Sequence, residues 1–172
     1  MKLEELPEWK PQYEYVNRVG RVGCHGKVYL IGDRHVAKIK HVPYLFLLND
    51  QEAVDCLVKE FNITRHLYEE GISVPKPEGI YSMKLRSVDN PISWFIPRTF
   101  PAFVMEAIYG VSLGSLKGEE REEALDLTRK ELTKARRWYT TYDSDDESIW
   151  HNTLWVPEQK RVVLIDFEFW KR

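Results

Sequence analysis

The chain has 172 residues, 43% of them hydrophobic and 30% charged, with a net charge of −2. That composition suits one globular domain with a real core, and the near-neutral balance excludes a general nucleic-acid or membrane-surface binder, which needs a basic excess. Cys24 and Cys56 are too few for a disulfide framework, and no apolar run approaches the ~18 residues of a membrane span, so a soluble cytoplasmic protein is expected.

There is no internal repeat. Residues 1–13 carry Pro7, Pro11 and mixed charge, and read as an extended lead-in. Tyr13 to Lys40 reads as a β-meander, rich in valine and isoleucine and turned at Gly32-Asp33. From about Asp50 to Glu70, Val54, Leu57, Phe61 and Leu67 recur at helical spacing, and Gly71 supplies a C-cap. Val74-Pro75-Lys76-Pro77 is extended because proline fixes its own φ and restricts its predecessor. Strands are expected at Gly79–Met83 and Phe100–Ile108, with a loop or hairpin insertion over 84–99. A polar helix follows from roughly Glu119 to Tyr139, acidic at its start and basic at its end as the helix dipole favours, with Leu125, Leu132, Ala135 and Tyr139 on its buried side. An acidic loop at 143–147 and two strands, Thr153–Val156 and Arg161–Ile165, complete an α+β pattern of two unequal lobes.

Several short patterns carry chemistry. Gly20, Gly23 and Gly26 lie between two strands, where missing Cβ atoms let backbone N–H groups approach anionic oxygens; a ligand-free hairpin is the plainer alternative. Lys38 and Lys40 share one face of the following strand, and either could meet phosphates or solvent. Glu60, in mid-helix, could pair with the strand lysine or lie on a solvated face. Phe103-Val104-Met105-Glu106 is a core strand or an edge that hydrogen-bonds a purine. Asn152 and Asp166 flank the last hairpin, and an amide oxygen with a carboxylate suits Mg²⁺. Cys24, His25, His35, His41, His66 and His151 match no zinc spacing.

In this order, the glycine-rich hairpin, strand lysine, helical glutamate, Met-Glu edge, asparagine hairpin and Asp-Phe resemble the protein-kinase-like superfamily, from about Val16 to Phe169. Leu164-Ile165-Asp166-Phe167-Glu168 is similar to the choline- and aminoglycoside-kinase ending. Asn152-Thr153-Leu154-Trp155 and the linker Glu70 to Pro77 resemble the small atypical and fungal kinase-like branches. The resemblance implies a two-lobed protein-kinase-like fold: a β-rich N-lobe with one helix (1–106), a hinge (107–110) and a minimal C-lobe (111–172). It implies ATP and Mg²⁺ as cofactors. Gly23 and Gly26 would cover the phosphates, Val28 and Val36 would pack on adenine, and Lys38, preferred to Lys40, would hold the α- and β-phosphates, braced by Glu60. Met105 would stand behind the base, and Glu106 and Ile108 would bond it through their backbones. Asn152 and Asp166 would hold the metal. This reading requires Lys38, Asn152 and Asp166 to serve one triphosphate.

Two departures from the family pattern bear on function. The catalytic aspartate expected five residues before Asn152 is replaced by Glu147, with Asp146 as the alternative if the loop shifts by one; the stretch also reads as a plain acidic loop. The resemblance also ends at Phe169, without the activation segment and the helices that bind a protein substrate, and Trp170-Lys171-Arg172 is no replacement. The 119–139 helix is then expected to leave part of its apolar face open, which favours a homodimer or a partner protein. The functions in play are an ATP-dependent phosphotransferase acting on a protein or small alcohol, and a pseudokinase that binds nucleotide or a partner without turnover.

Overall fold

Gly32 turns the chain through a left-handed φ of 69°. The strands it joins belong to the first sheet of the computed structural model, which describes residues 1–9, 17–19, 27–40, 50–85, 98–140, 151–168 and 170–172. The strands are β1 (Asn17–Val19), β2 (Lys27–Ile31), β3 (His35–Ile39), β4 (Pro77–Leu85) and β5 (Arg98–Glu106). Their order is β1-β2-β3-β5-β4, antiparallel throughout. β4 and β5 pair out to Leu85 and Arg98, so the expected insertion over 84–99 opens from a hairpin. β3 pairs with β5 only from Phe103 to Glu106. That ladder stops two residues short of Pro101, which has no N–H to give it.

The chain divides into two units, Met1–Phe61 with Pro77–Ala107, and Asn62–Lys76 with Ile108–Arg172. In the first unit, strand alternation sends Tyr29, Ile31, Ala37, Ile39, Met83, Ala102 and Val104 to one face, where they form a buried cluster. Helix α1 (Asp50–Glu69) packs on the opposite face. Its Val54 and Leu57 are buried with Ile80 and Phe103, and Val58, Phe61 and Met105 join them. Each fully buried side chain of this kind contributes roughly 1.5–3 kcal/mol.

The lead-in is not simply extended. Leu3–Glu5 forms a 3₁₀ turn, Leu6 is buried among the α1 residues, and Glu8 makes a parallel bridge to Ser82 of β4.

In the second unit α1 ends in a Schellman motif. Gly71 takes φ 72°, its N–H donates to Tyr68 O at 3.1 Å, and Ile72 N–H donates to Leu67 O at 3.0 Å. Leu67 and Ile72 share the same buried cluster, the apolar contact this cap favours. Helix α2 (Gly118–Ala135) is flanked by a second sheet, ordered β6 (Val111–Ser112), β7 (Thr153–Val156) and β8 (Arg161–Leu164). β6 was not expected from the sequence. It lies so close to β7 that a Cβ on Gly110 would stand 2.7 Å from the Trp155 carbonyl oxygen.

α2 ends at Ala135 rather than running on to Tyr139, and turns fill 136–138. Ala124, Leu132 and Ala135 are buried, and Leu125 and Leu127 are half-buried against Trp155 and Val162. The apolar face is therefore covered in part, with Leu125 and Leu127 keeping some exposure. Among the described residues, no helix is long and apolar enough to cross a membrane.

Candidate functional site

On β3 the odd-numbered Ala37 and Ile39 are committed to the apolar cluster, so Val36 and Lys38 face α1. Lys38 stands between Val28 on β2 and Phe103 on β5. Glu60 lies one turn beyond Leu57 on the buried stripe of α1. Lys38 Nζ donates to Glu60 Oε1 at 2.7 Å, with side-chain exposures of 9% and 2%. Taking two charges out of water costs several kcal/mol per ion, which only close pairing offsets. An apolar stripe interrupted by one carboxylate opposite one ammonium is therefore a specific construction. Lys40 is buried too, but it is Lys38 that holds Glu60.

Three apolar candidates of the first unit line the same face. Val28 is opposite Lys38, Val36 is opposite Met105, and all three apolar residues are half-buried. Ala107 N–H donates to Arg34 O at 2.8 Å. That bond makes His35 and Glu106 a non-hydrogen-bonded pair, which turns the Glu106 backbone groups away from β3. Ile108 is half-buried and belongs to the second unit.

In the second unit the β7–β8 hairpin turns through Pro157–Gln159 and a left-handed Lys160, φ 45°. Its ladder pairs Thr153 with Leu164 and is extended by Ile165 N–H donating to Asn152 O at 2.9 Å. Asn152 thus lies across from Ile165, one residue before Asp166, and both oxygen donors sit at the open end of one hairpin. Asp166 is exposed at φ 64°, a conformation few non-glycine residues adopt and one that clusters at functional sites. Its neighbours hold it there: Leu164 and Phe167 are buried, 2% and 1% exposed, in one cluster.

Trp170 completes that cluster. Its ring meets Phe167 edge-on at 4.9 Å, and Thr140 and Lys171 exchange backbone hydrogen bonds at 2.7 and 3.0 Å. The tail expected to be a bare stub is thus part of the core that fixes Asp166, a role the sequence signalled only by its aromatic residues. Burial raises the Tyr139 phenol in this cluster above its usual 10.0, with Arg172 opposing.

Asn152 and Asp166 supply two hard oxygen donors, which fits Mg²⁺, since that ion keeps waters and phosphate oxygens as its other ligands. Among the described residues no three His, Cys, Asp or Glu side chains gather as a metal site. Gly23, Gly26, Asp146 and Glu147, and with them Cys24, His25 and His41, lie outside the described residues.

No protein-family model matches the chain, and no curated protein matches it significantly. Solved structures do. One is the Rio2 kinase–ADP/Mg²⁺–phosphoaspartate complex of Chaetomium thermophilum, at a TM-score of 0.57 and 18% identity, over 94% of this chain and 50% of that one. Another is WbdD with the kinase inhibitor LY294002, at a TM-score of 0.50 and 17% identity, over 87% of this chain and 32% of that one. The chain therefore has a protein-kinase-like α+β fold, and it spans half or less of the length of these two kinase structures.

Proposed function

We propose that this chain binds ATP with Mg²⁺ and acts as a phosphotransferase on a hydroxyl acceptor. The observation that carries the reading is the buried Lys38–Glu60 pair at 2.7 Å, on the sheet-and-helix face of a kinase-like fold. A carboxylate that holds an ammonium in place on an apolar face readies it for phosphate oxygens at little reorganisation cost. In this reading Lys38 takes the α- and β-phosphates. Val28, Val36 and Met105 contact the base, with the Glu106 and Ile108 backbones beside it, and Gly23 and Gly26 cover the phosphates. Asn152 and Asp166 hold Mg²⁺, which when bound neutralises phosphate charge. Glu147 or Asp146 accepts the hydroxyl proton as the acceptor oxygen bonds to the γ-phosphorus and the bond to the β-phosphate oxygen breaks. The Leu164–Glu168 ending supports a place near the small-molecule kinases.

A second reading, a pseudokinase that binds nucleotide without turnover, is favoured by one specific feature: Glu147 stands where the family pattern has aspartate.

The deciding experiment is a thermal shift with ATP, with and without Mg²⁺, followed by an ATP-turnover assay. A ligand at 100 times its Kd stabilises by about 2.7 kcal/mol, which raises the midpoint of a chain this size by roughly 5–10 °C. Asp166→Ala should abolish the Mg²⁺-dependent part. A shift without turnover selects the second reading, and no shift at all defeats both.

A further inference from the structure

Glu60 can hold Lys38 only if α1 is held on the sheet, and the first nine residues of the chain touch both. On the helix side, Gln51 Nε2–H donates to the Met1 carbonyl at 2.9 Å. Leu6 is buried, 6% exposed, among Val54 and Leu57 of α1 and Ile80 and Phe103 of the sheet, with Leu3 packed against them. On the sheet side, Ser82 N–H donates to Pro7 O at 2.9 Å and Trp9 N–H donates to Ser82 O at 3.1 Å. The Trp9 ring then meets Tyr81 edge-on at 4.8 Å and His35 at 5.5 Å. Leu6 thus stands one residue before the strand-like docking begins, inserted beside the helix turn that precedes Glu60.

We propose that this N-terminal segment is a clamp that sets Glu60 on Lys38, with Leu6 as its positioning residue. Its relevance to nucleotide rests on the phosphate-binding reading of Lys38. The mechanical claim does not, because it concerns only the contacts of Leu6 with α1 and of Glu60 with Lys38. The segment is tied to β4 by backbone bonds and to α1 by the Gln51–Met1 hydrogen bond and the packing of Leu3 and Leu6. Loss of the Leu6 contact therefore removes one apolar anchor of α1 while leaving the strand pairing intact. A displacement of about 1 Å at a positioned group is enough to cost on the order of 100-fold in function.

The test reads the ion pair directly. The full chain is treated with limiting acetic anhydride, and acylation of the Lys38 amine is followed by mass spectrometry. Leu6→Ala should raise the Lys38 rate about fivefold or more, as Glu60→Gln should, by shifting the population away from the Glu60-paired amine. The double variant should be no faster than the faster single, because both break the same contact. Leu6→Met, which keeps the volume, should restore the slow rate and covers the case in which Leu6→Ala does not fold. Ile31→Ala, a core truncation on the opposite face of the sheet, should leave the rate unchanged.

The proposal is overturned if Leu6→Ala and Ile31→Ala behave alike, or if the effects of Leu6→Ala and Glu60→Gln multiply. A parallel ATP titration separates the two claims. Weaker binding by Leu6→Ala links the clamp to the nucleotide site. A wild-type chain that binds no ATP removes the phosphate reading while the acylation result still decides the clamp.

Discussion

Replacing Glu60 by leucine leaves the Lys38 ammonium buried without its carboxylate. Both side chains are over nine-tenths buried, so water cannot take over the lost contact. Breaking one side of such a pair costs about 3–5 kcal/mol. At about 2–4 °C per kcal/mol for a chain of this length, the thermal midpoint should drop by roughly 6–20 °C. Lys38→Met should cost a similar amount, because it strands Glu60 instead. The double variant Lys38→Met/Glu60→Leu removes both charges of the pair and should return to within about 1 kcal/mol of the wild type, or exceed it. The cycle therefore predicts a coupling energy of about 5 kcal/mol or more, read from urea denaturation of the four proteins. Function should not follow stability: the double variant, though stable, should show no thermal shift with Mg²⁺ and ATP. Two results would refute the reasoning. Additive losses would mean the two charges do not compensate each other, and an undiminished ATP shift in Lys38→Met would mean the ammonium is not a phosphate ligand.

Trp170→Ala removes a ring, 6% exposed, that closes the cluster around Phe167, and should cost about 3–5 kcal/mol in urea denaturation. Gly110→Ala places a methyl 2.7 Å from the Trp155 carbonyl, and should destabilise by about 1–3 kcal/mol, because the neighbour is backbone and has no rotamer to yield. Gly71→Ala meets no atom within 4 Å but must adopt φ 72°, so its cost in the same assay should be the smaller, about 1 kcal/mol. The Tyr139 phenol is raised above 10.0 by burial. The folded protein then keeps a proton that the unfolded chain releases, and stability is full below pH 10 and falls as pH rises through the folded value. Tyr139→Phe should lose that alkaline component of the midpoint curve.

What could be read from residues alone was what local spacing dictates. The 50–69 helix announced itself through Val54, Leu57 and Leu67, and its end through Gly71, because period and cap are local properties. Lys38 and Glu60 were visible as candidates, but their pairing depends on the register of β3 against β2 and β5, which no short window encodes. β6 escaped notice because two residues carry no period; only the closeness of Gly110 to β7 reveals it. The docking of Leu3, Leu6 and Trp9 was hidden for a related reason: Leu3 and Leu6 join the cluster under α1 while Trp9 meets Tyr81 and His35, so no single stripe forms. β5 was legible across Pro101, since the apolar run from Phe100 to Ile108 continues through it; that β3 pairs with it only from Phe103 to Glu106 was not.

Ser73 decides how the small sheet of the second unit meets its surroundings. Its carbonyl accepts from Leu164 N–H at 2.9 Å and its hydroxyl donates to the Val162 carbonyl, while Glu131 accepts its own N–H at 2.9 Å. β8 is the outer strand of that sheet, and an outer strand with open amides is a template for a neighbour's chain. Here Ser73 already occupies two of the outward groups of that margin, the Leu164 N–H and the Val162 carbonyl. Self-association by strand addition at this margin would first have to peel Ser73 away, so crowding should not by itself seed fibrils from β8.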